Sequence, residues 1–531
     1  MVLAHDDPVR LAQRNTVGTA LRRASAKFGS RIALRYDERT WAYAELDRAA
    51  NAVARGLLAL GLRPGDRIVA FGRNSDAYLL AWFGCARAGL IHVPASFALG
   101  AAELAYVIEQ SEARALFFDE ALVIVASDAA ARSGVTLRGT FVDGGEFDVL
   151  RFAQSDAGDV DLAGPRDEEL AQLLYTSGTT GAPKGAMMSH RALVAQYASA
   201  VMALDFAATD RALAALPLYH CAQMRVFTMP QLLVGAQTRL VRAPEPALCL
   251  RLIEEERITS FFAPPTVWIS LLRHDDFDRR DLSSLERLYY GASIMPVPVL
   301  EELRGRLPRA RPYNCYGQTE IAPLATVLGP AEHDDRPASA GRAVFDVETR
   351  VVDGALRDVA PGERGEIVHR SPHLCDGYWH KEAETVQAFA GGWFHSGDVG
   401  YRDDAGYLYI VDRIKDVINR GGVVVASREV EEALFTHPAV LEVAVIALPD
   451  ARWVEAVTAI VVVRPGAQTD EATLIAHART SLAAFKVSKR VIFAAALPRN
   501  GAGKLLKREM RATYGGSAGA IAGASREPER A

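Results

Sequence analysis

The sequence predicts an α/β protein with a large N-terminal domain of parallel sheets covered by helices, a small β module at its end, and a small α+β C-terminal domain. Three observations predict this. Strand and helix patterns alternate from about residue 43 to about residue 325, the order that builds parallel sheets with helices across their faces. After about residue 340 short strands alternate with turns instead. Near Lys415 a fresh pattern of mixed strand and helix begins and runs for about 100 residues, enough for a small independent domain.

The elements follow in order. Tyr43 to Leu60 places Leu46, Ala50, Val53 and Leu57 on one helix face, and Gly61 with Pro64-Gly65 stops it. Arg67 to Phe71 reads as a short buried strand, followed by a helix through Ala88. Val351-Val352-Asp353-Gly354, Gly365-Glu366-Ile367-Val368 and Gly406 to Ile410 supply the β module. Beyond Lys415 come a glycine turn, a helix from Ser427, strands at Val443 to Leu448 and Ile460 to Val463, and a further helix. Gly515 to Ala531 is rich in Gly, Ala, Ser and charge without a pattern, so disorder is expected there. The expected division is 1–414, 415–512 and a tail of 513–531.

A chain of 531 residues, 50% hydrophobic and 24% charged, has the balance of a soluble enzyme with more than one core. A formal net charge of −5 and the lack of a basic stripe interleaved with aromatics argue against nucleic acid as a partner. Met1 to Asn15 has no apolar signal region, and no run is long and apolar enough to span a bilayer, so a cytoplasmic protein is expected. Cys85, Cys221, Cys249, Cys315 and Cys375 are odd in number and never in CxxC spacing, which fits buried thiols in a reducing compartment.

The strongest local signal is Tyr175-Thr176-Ser177-Gly178-Thr179-Thr180-Gly181-Ala182-Pro183-Lys184-Gly185. It follows the apolar strand Ala171 to Leu174 and precedes a helix that Ser189 is placed to cap. The glycines free the backbone to turn successive N–H groups toward phosphate oxygens, while four hydroxyls and Lys184 add donors. It is not a Walker loop, because Pro183 precedes the lysine and Gly185 follows it.

With that loop and four further motifs, the chain resembles the adenylate-forming superfamily of acyl-CoA and aryl-CoA ligases, luciferase and peptide-synthetase adenylation domains. The further motifs are Tyr313-Asn314-Cys315-Tyr316-Gly317-Gln318-Thr319-Glu320, Trp393-Phe394-His395-Ser396-Gly397-Asp398, Asp412-Arg413-Ile414-Lys415-Asp416 and Pro498-Arg499-Asn500-Gly501-Ala502-Gly503-Lys504. They stand in the family's order and span roughly residues 20 to 512.

The resemblance implies an ATP-dependent, AMP-forming ligase that adenylates a fatty or aromatic acid with Mg²⁺ and passes the acyl group to a thiol, CoA first among them. It implies that Thr176, Ser177, Gly178, Thr179, Thr180, Gly181 and Lys184 hold phosphates. Tyr316 and Gly317 would face adenine, with Gly291-Ala292-Ser293 as the opposite wall. Thr319 is implied at the α-phosphate, Glu320 at Mg²⁺, and Asp398 with Arg413 at the ribose. Lys504 would bring carboxylate and α-phosphate together, where charge develops during transfer. It lies in the small domain, which the resemblance makes a mobile lid pivoting at Lys415. His220, in Leu216-Pro217-Leu218-Tyr219-His220-Cys221-Ala222-Gln223-Met224, is similar to the imidazole of acyl-CoA ligases that lines the carboxylate pocket. Met224 to Met229, Phe261-Phe262-Ala263, Ser293 and Ala322-Pro323-Leu324 are candidate pocket walls.

The turn after the hinge departs from the family. Ligases with this His220 segment usually read Gly-Gly-Glu-Asn-Val there, and this chain reads Gly421-Gly422-Val423-Val424-Val425. In such ligases the turn guides the pantetheine arm of CoA, so the resemblance leaves the acceptor open: CoA, a carrier-protein thiol, or an amine. In the last case the acid's place is taken by nitrite for diazotisation of an aryl amine. A protein that merely bound an adenylate would have no use for Lys184, Glu320, Asp398, Arg413 and Lys504 together, and pyrophosphate release separates that reading from an enzyme.

Overall fold

The structure, a computed structural model, describes residues 8–142, 147–155, 164–176, 182–414, 416–420, 423–450, 454–499 and 505–515. They form two compact units, one of Met1–Ala292, Glu302–Thr349 and Val368–His395, the other of Ser293–Glu301, Arg350–Ile367 and Ser396–Ala531.

The first unit holds two sheets. One runs Leu137–Thr140, Ala113–Phe118, Arg67–Phe71, Ile91–Ala95, Leu170–Thr176 and Lys184–Ser189, parallel except for the last pair. The other has nine strands. Its interior, from Arg311–Gly317 through Arg287–Gly291, Ser260–Phe262, Arg211–Ala214 and Gln237–Leu240 to Ile32–Tyr36, is parallel. Its margins are antiparallel: Leu324–Leu328 and Arg342–Ala343 at one side, Arg39–Ala42 at the other.

Helix Tyr43–Ala59 buries the expected face of Leu46, Ala50, Val53 and Leu57. Helix Asp76–Ala88 is apolar nearly all round and buried along its whole length, as such a helix must be. Ser75 caps its start, accepting from Tyr78 N at 3.0 Å, and Gly89 ends it at φ 70°, where only glycine is unstrained.

Beyond Arg342–Ala343 the chain forms a four-stranded sheet of Glu348–Val352, Gly365–Arg370, Phe394–Arg402 and Leu408–Arg413. It also carries a five-stranded sheet in which Val454–Val463 lies between Val440–Asp450 and Ile418–Arg420, with Val423–Val425 and Arg490–Phe493 completing it. One face packs on Ser427–Phe435 and Glu471–Ala478 through Val430, Leu434, Val445, Val461 and Leu474. The other packs on Lys507–Gly515 through Ile446, Ile460 and the wholly buried Met510. That helix carries ordered chain past residue 512, because Met510 and Tyr514 have a sheet face to cover. The rest of the expected tail lies outside the described residues.

Candidate active site

The glycine- and hydroxyl-rich turn does not lead directly into a helix. Leu170–Thr176 turns back as Lys184–Ser189, antiparallel, with Thr176 opposite Lys184 and Tyr175 opposite Gly185. Only then does Ser189 cap helix His190–Ala203, accepting from Ala192 N at 3.4 Å. Thr176 and Lys184 therefore stand opposite each other on the two strands, while Ser177, Gly178, Thr179, Thr180 and Gly181 lie outside the described residues.

A distant segment is stitched to this hairpin. Asp376 N donates to Met187 O, Met187 N to Gly377 O and Trp379 N to Gly185 O, each at 2.9 Å. The stitching brings the Tyr378 ring beside the Lys184 ammonium, 5.1 Å from Nζ to centroid, within cation–π reach. Tyr378 Oη in turn donates to Glu320 Oε1 at 2.9 Å, and Cys375 N donates to Glu320 O at 2.8 Å. Burial first, and then the Glu320 charge, push the Tyr378 phenol far above its ordinary value, so it remains a donor.

Gly291 ends its strand opposite Cys315 of the adjacent parallel strand, at the carboxyl side of the sheet, where ligands bind in α/β folds. A β-carbon on Gly291 would lie 2.2 Å from Cys315 O, and one on Gly317 1.7 Å from Pro323 O, so both positions demand glycine. Ala292 follows at φ 63°, turning the chain off its strand. The Tyr316 ring lies 6.2 Å from that of His369, and Gln318 Nε2 donates to its hydroxyl at 3.3 Å.

Thr319 and Glu320 open a short helical turn, Thr319–Ile321. Thr319 Oγ1 is 3.4 Å from Cys221 Sγ, which is 3.7 Å from His220 Nδ1. The segment bearing His220 is pinned from below by buried Asn74, which accepts from Leu218 N at 2.7 Å and donates to Leu216 O at 2.9 Å and Val241 O at 3.0 Å. The chain then enters a π-helical stretch, Ala222–Thr228, a geometry frequent at functional sites. Within it Arg225 is fully buried, its Nε donating to Gln172 Oε1 at 2.8 Å, and Gln172 Nε2 lies 3.0 Å from His92 Nδ1. Phe227 stacks on Phe262 at 4.1 Å and 14°.

Sequence reasoning missed Asn74 and Tyr378, and it included Arg225 only as part of the candidate wall Met224 to Met229, without its bond to Gln172. No short motif marks them, since each acts across more than 50 residues of chain.

In the second unit Asp398 and Arg413 face each other across a two-stranded pair, Arg413 Nε lying 3.0 Å from Asp398 Oδ1. The carboxylate is nearly buried and the guanidinium about a third exposed. Ser293 belongs to this unit as well. Asp412 accepts from Ser427 N at 2.6 Å, giving helix Ser427–Phe435 a cap that its own Ala426 cannot supply. Lys415 and Lys504 lie outside the described residues.

Among the described residues no group of three or more His, Cys, Asp and Glu side chains is placed to cage a metal. One carboxylate, Glu320, beside the Thr319 hydroxyl fits a hard divalent cation that draws its other ligands from phosphate and water. Tyr378 occupies one of about four lone-pair positions on that carboxylate, leaving the rest for a cation.

Residues 21–379 match the family model described as AMP-binding enzyme, and residues 429–504 the one described as AMP-binding enzyme C-terminal domain. A feruloyl-CoA synthase of Amycolatopsis sp. is 40% identical over 511 residues, covering 96% of this chain and 98% of its own. A fatty acid–acyl-carrier-protein ligase of Streptomyces coeruleorubidus is 33% identical over 485 residues, 90% of this chain and 92% of its own. The solved structure of an anthranilate CoA ligase in complex with anthranoyl-AMP is similar at a TM-score of 0.89 and 25% identity, covering 95% of this chain and 98% of its own.

Proposed function

The chain belongs to the AMP-binding enzyme family, and from that premise we propose how its residues divide the work of an AMP-forming acid–thiol ligase. The reaction has two halves. An acid carboxylate oxygen attacks the α-phosphorus of ATP and pyrophosphate leaves; then a thiol attacks the acyl carbon and AMP leaves. ATP, Mg²⁺ and CoA serve it.

The observation that carries the assignment is one line of polar groups within the first unit. It runs from Lys184 through Tyr378 to Glu320, and from the adjacent Thr319 through Cys221 to His220. Lys184 and the turn it closes take the departing phosphates, Thr319 the α-phosphate, and His220 the acid. Glu320 would hold Mg²⁺, which when bound neutralises charge on the phosphate oxygens. Tyr316 with Gly291 and Ala292 takes adenine, and Asp398 with Arg413 the ribose. Lys504, in the proposed lid of residues 415–512, stabilises charge between carboxylate and α-phosphate. The change between half-reactions is assigned to rotation about Lys415.

The acid we assign is compact and aromatic rather than a long chain. Phe227 and Phe262, both on segments expected to wall the pocket, are stacked and nearly wholly buried, filling space that an alkyl chain would need. The similarity to a feruloyl-CoA synthase supports the same class. CoA is the assigned acceptor, and the cytoplasm, which supplies ATP and CoA, the assigned compartment.

A panel tests this: ferulic, 4-coumaric, benzoic, hexanoic and palmitic acids, and nitrite together with an aryl amine, each with ATP, with and without CoA, products identified by mass. Aromatic acyl-CoA is the expected product. Preference for palmitate overturns the substrate class, and a diazo product from nitrite with an aryl amine overturns the acceptor.

A further inference from the structure

Five cysteines occur in the chain, and four sit in surroundings that make them inert. Burial pushes Cys85 and Cys249 up to about 12, and raises Cys315 and Cys375 as well. Cys221 is equally buried, yet His220, by charge and hydrogen bond, and Arg225, by charge, outweigh that burial and bring its thiol below the ordinary value. It is also the cysteine with polar partners on two sides: the His220 imidazole at 3.7 Å and the Thr319 hydroxyl at 3.4 Å.

We infer that Cys221 is a positioning residue for adenylation, joining the His220 imidazole to the Thr319 hydroxyl in one hydrogen-bonded line that couples the acid pocket to the α-phosphate site. The inference rests on the roles assigned above to His220 and Thr319. A thiol carries one proton, so such a line has two polarities. In the first, Thr319 Oγ1–H donates to sulfur and S–H donates to Nδ1; the hydroxyl proton is then spent inside the protein. In the second, Nδ1–H donates to sulfur, S–H donates to Oγ1, and the Thr319 proton is free for an α-phosphate oxygen. Only the second serves the nucleotide, and it requires Nδ1 to carry the proton. The sulfur therefore makes the aim of the hydroxyl depend on the state of the imidazole facing the acid.

The supports of the line are rigid. Asn74 fixes Leu216 and Leu218 just before it, and Arg225, clamped on Gln172, fixes the π-helical stretch just after it. A thiol suits the place because its longer bond and soft acceptor reach two partners that a hydroxyl would meet less evenly.

The test is ATP–pyrophosphate exchange by the full chain, using whichever acid of the panel turns over best. Cys221→Val keeps the bulk and removes both hydrogen bonds; Cys221→Ser keeps a donor and an acceptor. Val is expected to lower kcat of exchange about tenfold, the scale of two lost neutral hydrogen bonds, with KM for ATP changed less than about threefold. Ser is expected to recover most of that loss. Conversion of a supplied acyl-adenylate should be unchanged in both, and thermal midpoints should match wild type. In a Thr319→Val background the Cys221→Val change should cost nothing more, since the line is already cut. Equal activity of Val and wild type, or of Val and Ser, overturns the inference. Parallel His220→Ala and Thr319→Val variants separate the two readings. If these are fully active, the site assignment itself fails; if they are impaired while Cys221→Val is not, only the coupling fails.

Discussion

Tyr378 donates its phenolic hydrogen bond to Glu320 Oε1 at 2.9 Å, and so orients the one carboxylate that stands beside Thr319. The tyrosine is itself set by backbone pairing to the strand that begins at Lys184, through Trp379 N to Gly185 O. The proposed metal ligand and the proposed phosphate lysine are thus registered to each other through the Tyr378 ring and the backbone of residues 375–379.

That relationship sets the first prediction. Glu320→Ala removes the proposed carboxylate and should raise the Mg²⁺ concentration for half-maximal pyrophosphate release by about tenfold or more. Tyr378→Phe leaves the carboxylate but frees its orientation, and should shift the same midpoint in the same direction by a smaller factor, as loss of an outer hydrogen bond does. Mg²⁺ titrations of both variants decide it. An unchanged midpoint in Glu320→Ala would mean that the carboxylate is structural.

Much of this was legible in the chain, and the reasons differ by residue. Glycines announced themselves wherever backbones approach closely, as at Gly291 and Gly317. Helix Tyr43–Ala59 followed from periodicity and stop signals because one face is buried, and strand Arg67–Phe71 from its short apolar run because both its faces are buried. The strand Lys184–Ser189 was not legible. Met187 and Met188 fit either helix or strand, and the hydrogen bonds that choose strand come from the antiparallel pairing with Leu170–Thr176 on one edge and from residues 376–379, nearly 200 positions away, on the other. Tyr378 and Asn74 were invisible for the same reason: their partners are fixed by topology, not by spacing.

The second prediction concerns acid. His190, His333, His369 and His373 are driven by burial down to about 4, and His92 to about 3, all in the first unit. The unfolded chain takes up these protons below about pH 6.5, while the folded chain refuses them until near pH 4. The unfolded state therefore binds more protons in that window, and stability falls as pH falls through it. Near pH 5 each histidine costs on the order of 2 kcal/mol, so five together rival the stability of a whole domain. Near-UV circular dichroism should show the first unit losing its packing between about pH 6 and pH 4.5. A flat signal to pH 4 would show that these imidazoles are hydrated or paired.

The third prediction separates the half-reactions. Lys504 is assigned a charge needed only while the carboxylate meets the α-phosphate, so Lys504→Ala should lower adenylate formation about a hundredfold or more. It should still convert a supplied acyl-adenylate to product. Lys415→Pro fixes φ at the proposed pivot and should do the reverse, sparing pyrophosphate release more than acyl transfer. Single-turnover assays of each half distinguish the outcomes; equal losses in both halves for Lys415→Pro would indicate general damage instead of a pivot.

The last prediction concerns Val423 and Val424, where the family's usual acidic and amide side chains are replaced. Their backbone forms strand Val423–Val425, with Val424 opposite Asn419 and Val423 opposite Arg420. The pantetheine arm of CoA carries two amides, and each that loses a polar partner on entering the site costs on the order of 1–3 kcal/mol. Nothing in that argument touches adenylation, which is assigned to other residues. The double change Val423→Glu with Val424→Asn should therefore leave pyrophosphate release alone while lowering KM for CoA about tenfold. Thioester formation at rising CoA, read by mass, measures it. If the wild type already saturates at low micromolar CoA and the double variant does not differ, the valines are neutral for CoA and the arm finds its partners on other residues. If neither forms a thioester while an acyl-carrier protein or an amine is acylated, CoA is not the acceptor, and the loss of the polar pair records a change of partner.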